Sequence, residues 1–317
     1  MNDISNQYSK ITKHATIGKS HIALIAGGLS KEREVSFMSS QNVLNTLIKL
    51  GYQVTLIDMG RDIANVLKEI KPDVVFNCLH GTYGEDGCLA GLLNIIQIPY
   101  THSGIVASSI ALNKEKAKMM FKACDINTPN CIIITKQDQP ILDPMNRPYV
   151  LKPLNQGSSI GVEIVFPEDK FDIKNYKFQY GDKALVEEYI SGSEIQVAVL
   201  NGKVLGMLEV VPLNAKFYDY DAKYKDGFSN HIVPNIESKI HDELTSISEK
   251  IYRVFGCSGI IRAEFIICKR TNKPYILEIN THPGLTKNST TLEIANDNPI
   301  GFDGMIEQLI KDAAFES

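Results

Sequence analysis

The sequence predicts an α/β fold, with a parallel α/β section at the N-terminus and mainly antiparallel strands after it. In the first 120 residues, short apolar runs alternate with segments of helical periodicity, which is the pattern of βαβ units around an open parallel sheet. Beyond residue 130, short alternating runs follow one another, and Asn201-Gly202 is a strong signal for a two-residue hairpin. The 317 residues suffice for two or three domains at roughly 100–200 residues each.

The N-terminal elements follow from apolar periodicity and from the residues that interrupt it. Residues 1–20 are polar and are predicted to be a flexible tail. The run 21–26 (HIALIA) precedes two glycines, as is typical of a buried parallel strand, and Ser30 is a candidate cap for a helix over 32–50. The other elements predicted here are strands 53–59 and 73–79 and helices 63–70, 88–97 and 114–123. Open parallel sheets bind ligands at the carboxyl ends of their strands, where loops 27–30 and 80–87 fall.

The second half of the chain has the pattern of antiparallel sheet. The predicted strands are 131–135, 149–153, 160–166, 184–190, 194–200, 203–211, 260–268 and 274–279, and the predicted helices are 240–255 and about 299–313. Residues 216–230 are polar and aromatic, and a loop of this length is usually a functional lid or a disordered segment.

Composition excludes several classes of protein. The net charge is −4, from 33 basic and 37 acidic residues, and no basic block indicates a nucleic-acid partner. No apolar run approaches the roughly 18 residues that cross a bilayer, and the first 20 residues lack the apolar core of a signal peptide. The six cysteines show neither a CxxC pair nor metal-ligand spacing. They indicate reduced core residues, so we expect a cytoplasmic protein without a membrane partner.

The sharpest local motif is the loop 152–161 (KPLNQGSSIG), which lies between two predicted strands. Small residues let backbone N–H groups approach phosphate oxygens, hydroxyls add donors, and Lys152 adds a positive charge. The loop lacks the spacing of the common G-x-x-x-x-G-K-[ST] phosphate loop. The alternative interpretation is a solvated hairpin turn.

A second motif places acids on two neighbouring strands. Arg262 and Glu264 share one face of the first strand, and Glu278 and Asn280 share one face of the second. Two carboxylates and an amide oxygen form a set of ligands that suits Mg²⁺. The alternative is a buried salt bridge between Arg262 and one of the acids, which would not require the asparagine.

Three further segments carry groups suited to ligand binding. Residues 80–87 (HGTYGEDG) follow a buried strand, and the alternative interpretation is a flexible turn. For residues 31–36 (KEREVS), the alternative is simply the charged first turn of a helix. Residues 281–291 (THPGLTKNSTT) could donate hydrogen bonds to an anionic substrate.

The order of these motifs resembles the ATP-grasp superfamily and, within it, the D-alanine–D-alanine ligase family. The resemblance rests on GG-x-S-x-EREVS, LHG-x-x-GEDG, KP-x-x-x-GSS-x-G, YDY-x-AKY and LE-x-NT-x-PG, and covers about residues 21–314. It implies an N-terminal parallel α/β domain (21–114) and two α+β domains (115–200 and 201–317) that clamp ATP, with the lid loop 215–230 and the metal site in the last.

The resemblance also implies a reaction. ATP would phosphorylate the carboxylate of one D-alanine, and the amine of a second D-alanine would attack the acyl phosphate, giving the dipeptide for peptidoglycan. Two Mg²⁺ ions, or Mn²⁺, would assist, and the family pattern implies a cytoplasmic homodimer.

The site residues are carried over by their positions in the shared motifs. Glu32 would hold the ammonium of the first D-alanine, with His80 nearby, and Ser158 would link Glu32 to the lid residue Tyr224. Arg262 and the Gly284 N–H would stabilise the oxyanion, and Ser289 would hold the carboxylate of the second substrate. The residues implied for ATP are Lys114, Lys152, Ser158, Ser159, Glu187, Glu188, Tyr189, Ile190, Glu194 and Lys223. Those implied for the metals are Glu264, Glu278 and Asn280.

Departures from the family pattern leave alternatives open. Glu264 stands where an aspartate is usual, and Glu188 stands where a lysine is common. Tyr224 favours an amine acceptor over D-lactate. The competing hypotheses are a different ATP-grasp carboxylate–amine ligase, which would not use Glu32, His80 or Tyr224, and a non-catalytic nucleotide-binding protein on the same fold.

Overall fold

The structure is a computed structural model that describes residues 9–14, 19–213 and 228–315. The described residues form three sheets, and helices cover them. Residues Lys223 and Tyr224 and most of the predicted lid lie outside the described residues.

The N-terminal sheet is mixed and carries the buried strand that the sequence predicts. Its strands are β1 (Lys10–His14), β2 (His21–Ala26), β3 (Gln53–Asp58) and β4 (Val74–Asn77), in the order β1-β3-β2-β4. Strand β2 pairs in parallel with β3 and β4. Its helices are α1 (Arg33–Lys49), α2 (Ile63–Ile70), α3 (Cys88–Ile96) and α4 (Ile105–Leu112).

The predicted flexible tail needs a correction at residues 10–14. These residues form β1, which pairs antiparallel with β3, and the Ser9 N–H donates a 2.7 Å hydrogen bond to Asp62 Oδ1. Without β1, strand β3 would leave a row of backbone groups unpaired at the sheet edge. Ser30 likewise is not the N-cap of α1, because Glu32 occupies that position; the Ser30 hydroxyl accepts a 3.1 Å hydrogen bond from the Glu32 N–H and donates to the backbone oxygen of His80.

The central sheet is entirely antiparallel and follows helix α5 (Lys114–Ala123). Its strands are β5 (Cys131–Thr135), β6 (Tyr149–Pro153), β7 (Glu163–Val165) and β8 (Lys183–Glu188), in the order β5-β8-β6-β7. A short 3₁₀ turn covers Ile173–Asn175. Because β6 pairs with β7, the Gly/Ser loop is the connection of a hairpin.

The C-terminal sheet contains the predicted hairpin. Its strands are β9 (Gly192–Leu200), β10 (Lys203–Pro212), β11 (Ser229–Ile232), β12 (Ile260–Cys268) and β13 (Pro274–Asn280), in the order β11-β10-β9-β12-β13. Its helices are α6 (Ser238–Phe255), α7 (Thr290–Asp297) and α8 (Gly301–Lys311). Asn201 and Gly202 have φ of 50° and 79°, as the predicted turn requires.

The domain boundary predicted at residue 200 falls inside this hairpin. Strand β9 is the central strand of the C-terminal sheet, and a two-residue turn joins it to its neighbour β10. The change of sheet therefore lies between β8 and β9. One apolar core joins the N-terminal sheet, through Ile22 and Leu24, to the C-terminal helices, through Ile294 and Phe302. This shared core fixes the two sections relative to each other.

The cysteines agree only in part with their predicted core positions. All six are free thiols, and Cys78 and Cys257 are buried, but Cys88 is exposed at the start of α3. No helix among the described residues has the length and apolarity needed to cross a membrane.

Candidate active site

A first cleft forms where loops of the N-terminal section meet loops of the C-terminal sheet. The residues that line it are Glu32, His80, Glu85, Gly157, Ser158, Arg262, Glu278, Asn280, Gly284, Thr286, Ser289 and Thr290. Most are polar or charged, and they come from segments up to 258 positions apart in the chain (290 − 32). The cleft is therefore a product of the tertiary fold.

Glu32 lies at the N-cap position of α1 and is almost wholly buried. Ser158 Oγ donates a 2.5 Å hydrogen bond to Glu32 Oε1. Gly157 permits this approach, because a Cβ there would lie 3.3 Å from the same oxygen. Burial raises the pKa of Glu32, and the neighbouring Glu85 carboxylate raises it further. A buried carboxylate in this position suits a small cationic group.

The Gly/Ser loop is held in a constrained conformation. Ser158 and Ser159 have φ of 52° and 58°, a left-handed backbone that costs a non-glycine residue about 1–2 kcal/mol. Lys114 Nζ donates a 2.8 Å hydrogen bond to the Gln156 backbone oxygen. The contacts to Lys114 and Glu32 thus fix the loop, and such strain is typical of ligand clamps.

His80 is buried and bonded on both ring nitrogens. Its Nδ1 lies 3.1 Å from Glu85 Oε1, and its Nε2 lies 3.0 Å from Ser39 Oγ. Ser39 belongs to α1, so this histidine joins loop 80–87 to the helix that carries Glu32. These two contacts fix the orientation of the ring at the wall of the cleft.

The two strands β12 and β13 bring the predicted metal ligands together. In their register, Arg262 lies opposite Asn280 and Glu264 lies opposite Glu278. Arg262 forms an ion pair with Glu264, and Lys114 Nζ lies 3.0 Å from Glu278 Oε2. Like charges directly opposite each other destabilise a strand pair. Arg262 and Lys114 compensate the negative charges of the two glutamates.

The same donor set fits a hard divalent cation. Among the described residues no three His, Cys, Asp or Glu side chains form a ready metal cluster. The predicted set instead combines two facing carboxylates with an amide, whose Oδ1 accepts a 2.7 Å hydrogen bond from the His282 N–H. Oxygen ligands of this type suit Mg²⁺, and a cation between the two carboxylates would relieve their repulsion.

A second cleft lies beside the first, between the central and C-terminal sheets. Its lining includes the apolar side chains Val150, Val162, Ile164, Ile266 and Leu277. Its polar lining consists of Lys114, Lys152, Gln156, Ser159, Glu187, Glu188, Tyr189, Glu194, Glu264 and Glu278, and Ile190 completes it. A cleft lined by both apolar side chains and lysines suits a flat ring system that carries phosphates.

A buried charge triad lies at this cleft. Glu187 is bound by Lys152 through one oxygen, and Lys118 Nζ lies 2.8 Å from its Oε2. Burial alone would raise the pKa of Glu187, but the two lysines lower it overall. Burial lowers the pKa of Lys118 despite Glu187, whereas Glu187 and Glu278 raise that of Lys152 overall, against burial.

Ser289 is the N-cap residue of α7. Its Oγ accepts a 3.2 Å hydrogen bond from the Leu292 N–H, which leaves the hydroxyl proton able to donate. A helix N-terminus also favours an anion, because its first N–H groups lack partners within the helix. This end of the first cleft therefore suits a carboxylate.

The structure groups nearly all the residues that the sequence predicts for the site. The first cleft contains Glu32, His80, Ser158, Arg262, Gly284, Ser289, Glu278 and Asn280. The second contains Lys114, Lys152, Ser159, Glu187, Glu188, Tyr189, Ile190, Glu194, Glu264 and Glu278. Lys223 and Tyr224 lie outside the described residues.

Several lining residues were not singled out from the sequence. Glu85 belongs to the noted loop 80–87, yet its proximity to Glu32 has no sequence signal. Thr286 and Thr290 belong to the noted segment 281–291. The apolar wall of the second cleft follows strand alternation, and only the pairing of sheets shows which face lines a cavity.

The fold and the two joined clefts define an ATP-grasp carboxylate–amine ligase. The family described as "D-ala D-ala ligase C-terminus" matches residues 120–311, and the family described as "D-ala D-ala ligase N-terminus" matches residues 62–103. The chain belongs to the D-alanine–D-alanine ligase family.

Relatives and solved structures agree with this family. The chain is 54% identical to a D-alanine–D-alanine ligase of Rickettsia felis, over 98% of this chain and 97% of that one. It is 56% identical to one of Rickettsia canadensis, over 95% of this chain and 85% of that one. The crystal structure of a D-alanine–D-alanine ligase from Bacillus anthracis has a TM-score of 0.81 at 30% identity, and covers 93% of this chain and 97% of that one. A structure of that ligase complexed with ATP has a TM-score of 0.80 at 27% identity, with the same coverage.

Proposed function

We propose that the two joined clefts carry out the reaction of the family through an acyl phosphate. The chain is an ATP-dependent ligase that joins two D-alanine molecules, and its product serves cell-wall synthesis. The observation that carries the assignment of the clefts is Glu278, which lines both of them. A phosphoryl group at the end of the second cleft would therefore lie within reach of a carboxylate in the first.

The first cleft has a place for each end of a D-alanine. Its ammonium would bind the buried carboxylate of Glu32, with His80 beside it, and its carboxylate would face Arg262 and Gly284. The second D-alanine would place its carboxylate at Ser289, where the helix N-terminus and the hydroxyl both donate. Glu32 and the anion-binding residues Arg262 and Ser289 all line one cleft, which supports this arrangement.

The second cleft would hold ATP. The apolar slot would take the base, with Glu187, Glu188, Tyr189, Ile190 and Glu194 around the nucleoside. Lys114, Lys152 and Ser159 would bind the phosphates, together with Ser158 from the first cleft. Lys223 and Tyr224 would close over both substrates as part of the lid, a role that stays a prediction.

The chemistry then proceeds in two displacements. A carboxylate oxygen of the first D-alanine attacks the γ-phosphorus of ATP, and ADP leaves. The amine of the second D-alanine attacks the carbonyl carbon and loses a proton, and the tetrahedral intermediate expels phosphate. Arg262 and the Gly284 N–H would stabilise its oxyanion, and removal of one such donor typically costs about 10²–10³ in turnover.

The metal ligands that we propose are Glu264, Glu278 and Asn280, for two Mg²⁺ ions or Mn²⁺. When bound, the ions would neutralise charge on the phosphates and the carboxylate. Glu264 is one methylene longer than the usual aspartate. It still lies directly opposite Glu278, which supports its role as a ligand.

We further propose a homodimer in the cytoplasm. Ile95 on α3 is 82% exposed and Val106 on α4 is 60% exposed. Gly91, one turn before Ile95, lies close to Ile105, since a Cβ there would lie 3.8 Å from Ile105 Cδ1. An apolar patch of this kind commonly marks an interface. Replacing Ile95 with glutamate should convert a dimer into a monomer in light scattering, and a monomeric parent chain would contradict the proposal.

One coupled assay tests the proposed function. The chain is incubated with ATP, Mg²⁺ and either D-alanine, D-serine, D-lactate or L-alanine, and phosphate release and product mass are measured. We expect release and the dipeptide mass with D-alanine. No release with D-alanine would refute the assignment, and release only with another acid–amine pair would indicate a different ATP-grasp ligase.

A further inference from the structure

Two buried histidines from different sections of the chain stack directly beside the first cleft. His102 lies in the loop between α3 and α4, and His282 lies in the loop after β13. Their ring centroids are 5.1 Å apart with an interplanar angle of 23°. Both side chains are almost wholly buried, so the stack connects the N-terminal section to the C-terminal sheet.

Each ring is held by the threonine that precedes it. Thr101 Oγ1 lies 2.8 Å from His102 Nδ1, and Thr281 Oγ1 lies 3.0 Å from His282 Nδ1. Phe76 packs edge-on against His102 at 5.4 Å. Burial lowers the pKa of His102 to about 3. A neutral ring can stack on its partner without the repulsion that two cations would have.

The backbone of His102 indicates that its position is enforced. Its φ is 74°, in the left-handed region, which costs a non-glycine residue about 1–2 kcal/mol. The chain also passes close to Gly259, where a Cβ would lie 3.3 Å from the His102 backbone. Such strain persists only where the surroundings over-determine it, and it is concentrated at functional sites.

The loop that follows His282 is also fixed on its other side. The Leu285 N–H donates a 3.2 Å hydrogen bond to Ser39 Oγ, and Asn42 Nδ2 donates a 2.8 Å hydrogen bond to the Leu285 oxygen. Ser39 is the same side chain that contacts His80 Nε2. Gly284 therefore lies between two anchored positions, 282 and 285, and both anchors are on the N-terminal section.

We propose that His102 and His282 are positioning residues, and that their stack fixes the backbone of Gly284 against His80. The proposal rests on the oxyanion role given above to the Gly284 N–H. A Cβ at Gly284 would lie 3.9 Å from His80 Cε1, so the two groups are already neighbours. Loss of the stack would let residues 282–284 shift relative to the first substrate. A displacement of about 1 Å at a reacting centre costs up to about 10²-fold in rate.

The test compares His282→Ala with His282→Phe, which keeps a flat ring but no hydrogen bond. We expect His282→Ala to lower kcat by about 10- to 100-fold, with the Kd for ATP within about twofold, because the nucleotide cleft lacks this residue. His282→Phe should recover most of kcat. The matched control is His241→Ala, which removes an exposed histidine from α6 and should change neither value.

A double-mutant cycle with His102→Gly checks that the rings act together. Glycine accepts the left-handed backbone, so this variant removes the ring without adding strain. The double variant His102→Gly/His282→Ala should have the kcat of the more impaired single variant. Circular dichroism and thermal unfolding establish that each variant is folded at the assay temperature.

The outcomes separate this proposal from the assignment of function. If the parent chain releases no phosphate with D-alanine, the proposed function fails first. If the parent is active and His282→Ala keeps its kcat, or if kcat and ATP affinity fall together without recovery in His282→Phe, the histidines are only structural and the proposal is wrong.

Discussion

Replacing Lys118 with methionine should weaken ATP binding, although Lys118 is not among the residues that line the nucleotide cleft. Its side chain is 2% exposed, and its Nζ lies 2.8 Å from Glu187 Oε2. It also donates to Thr128 Oγ1 at 2.7 Å and to the Pro129 oxygen at 3.2 Å. In the structure Lys152 binds the other oxygen of Glu187. When Lys152 turns to a phosphate, Lys118 alone remains to neutralise the buried acid.

The size of the effect follows from that exchange. In Lys118→Met, the move of Lys152 to ATP would leave Glu187 buried without a cation. A buried polar group without its partner costs about 1–3 kcal/mol, and more when charged, which corresponds to roughly a 5- to 150-fold higher Kd for ATP. Isothermal titration with ATP and Mg²⁺ measures this value directly. The KM for D-alanine should change much less, because none of the three residues of the triad lines the first cleft.

Three variants control the interpretation. Lys116→Met removes an exposed lysine from the same helix and should leave the Kd unchanged. Lys118→Arg keeps the charge and should lose less affinity than Lys118→Met. In a background with Glu187→Gln, the further loss of Lys118 should have little effect, because no buried charge then needs it. If folded Lys118→Met binds ATP as tightly as the parent chain, the reasoning about Lys152 is refuted.

Three other predictions follow from the site and the hairpin. Arg262→Ala should lower kcat by about 10²–10³ and the ATP affinity far less; an equal loss of both in steady-state and binding assays would make Arg262 structural. Glu85→Gln should lower the pKa of Glu32, since the Glu85 carboxylate helps to raise it. The ammonium of the substrate needs ionised Glu32, so the acidic limb of the pH profile of kcat/KM should move to lower pH, and a limb that stays in place would contradict this assignment. Gly202→Ala should destabilise the chain by about 1–2 kcal/mol, because φ is 79° there while the nearest atom, in the Tyr252 ring, leaves room at 3.5 Å; thermal unfolding measures the loss, and an unchanged Tm would show that the turn tolerates a side chain.

The sequence predicts the interior elements well because their residues alone determine them. The helices Ile63–Ile70 and Lys114–Ala123 and the strand Ile260–Cys268 have the predicted bounds. Their apolar periodicity is strong and their ends are marked by polar or turn residues. The extra strand β1 had no such signal, since Lys10–His14 (KITKH) has only one aliphatic residue and pairs with residues 40–48 positions away (54 − 14 and 58 − 10).

Two helices were missed because their neighbours obscured them. Helix α4 is separated from α5 only by Asn113, so no loop residues separate the two patterns. Helix α7 begins directly after the Ser289 cap, and its first residues, two threonines, indicated a ligand-binding loop instead of a helix. In both cases the end of one element is also the start of the next, and residue type alone does not divide them.

The site itself could be predicted residue by residue but not as a set of contacts. The motifs identify Glu32, Arg262 and Glu278 through the family pattern. The proximity of Glu85 to Glu32, the support of Lys118 for Glu187, and the stack of two histidines 180 positions apart (282 − 102) are consequences of packing. Each depends on how separate sheets meet, which no local pattern contains.

The pairing of charges explains how a chain with a net charge of −4 can bind a nucleotide triphosphate. Around the two clefts, Lys114 is held by Glu278, Lys152 by Glu187, and Arg262 by Glu264. Each cation thus lies at a cleft where an anionic substrate would bind, while an acid neutralises it. We expect binding to exchange these partners, because Mg²⁺ at Glu264 and Glu278 would release Arg262 and Lys114 to the anionic substrates. Lys118 differs from the other cations, since it stays with Glu187 and allows Lys152 to leave. The metal and the nucleotide should therefore bind cooperatively. Mg²⁺ would replace the positive charge that the carboxylates lose when their cations turn to the anionic substrates.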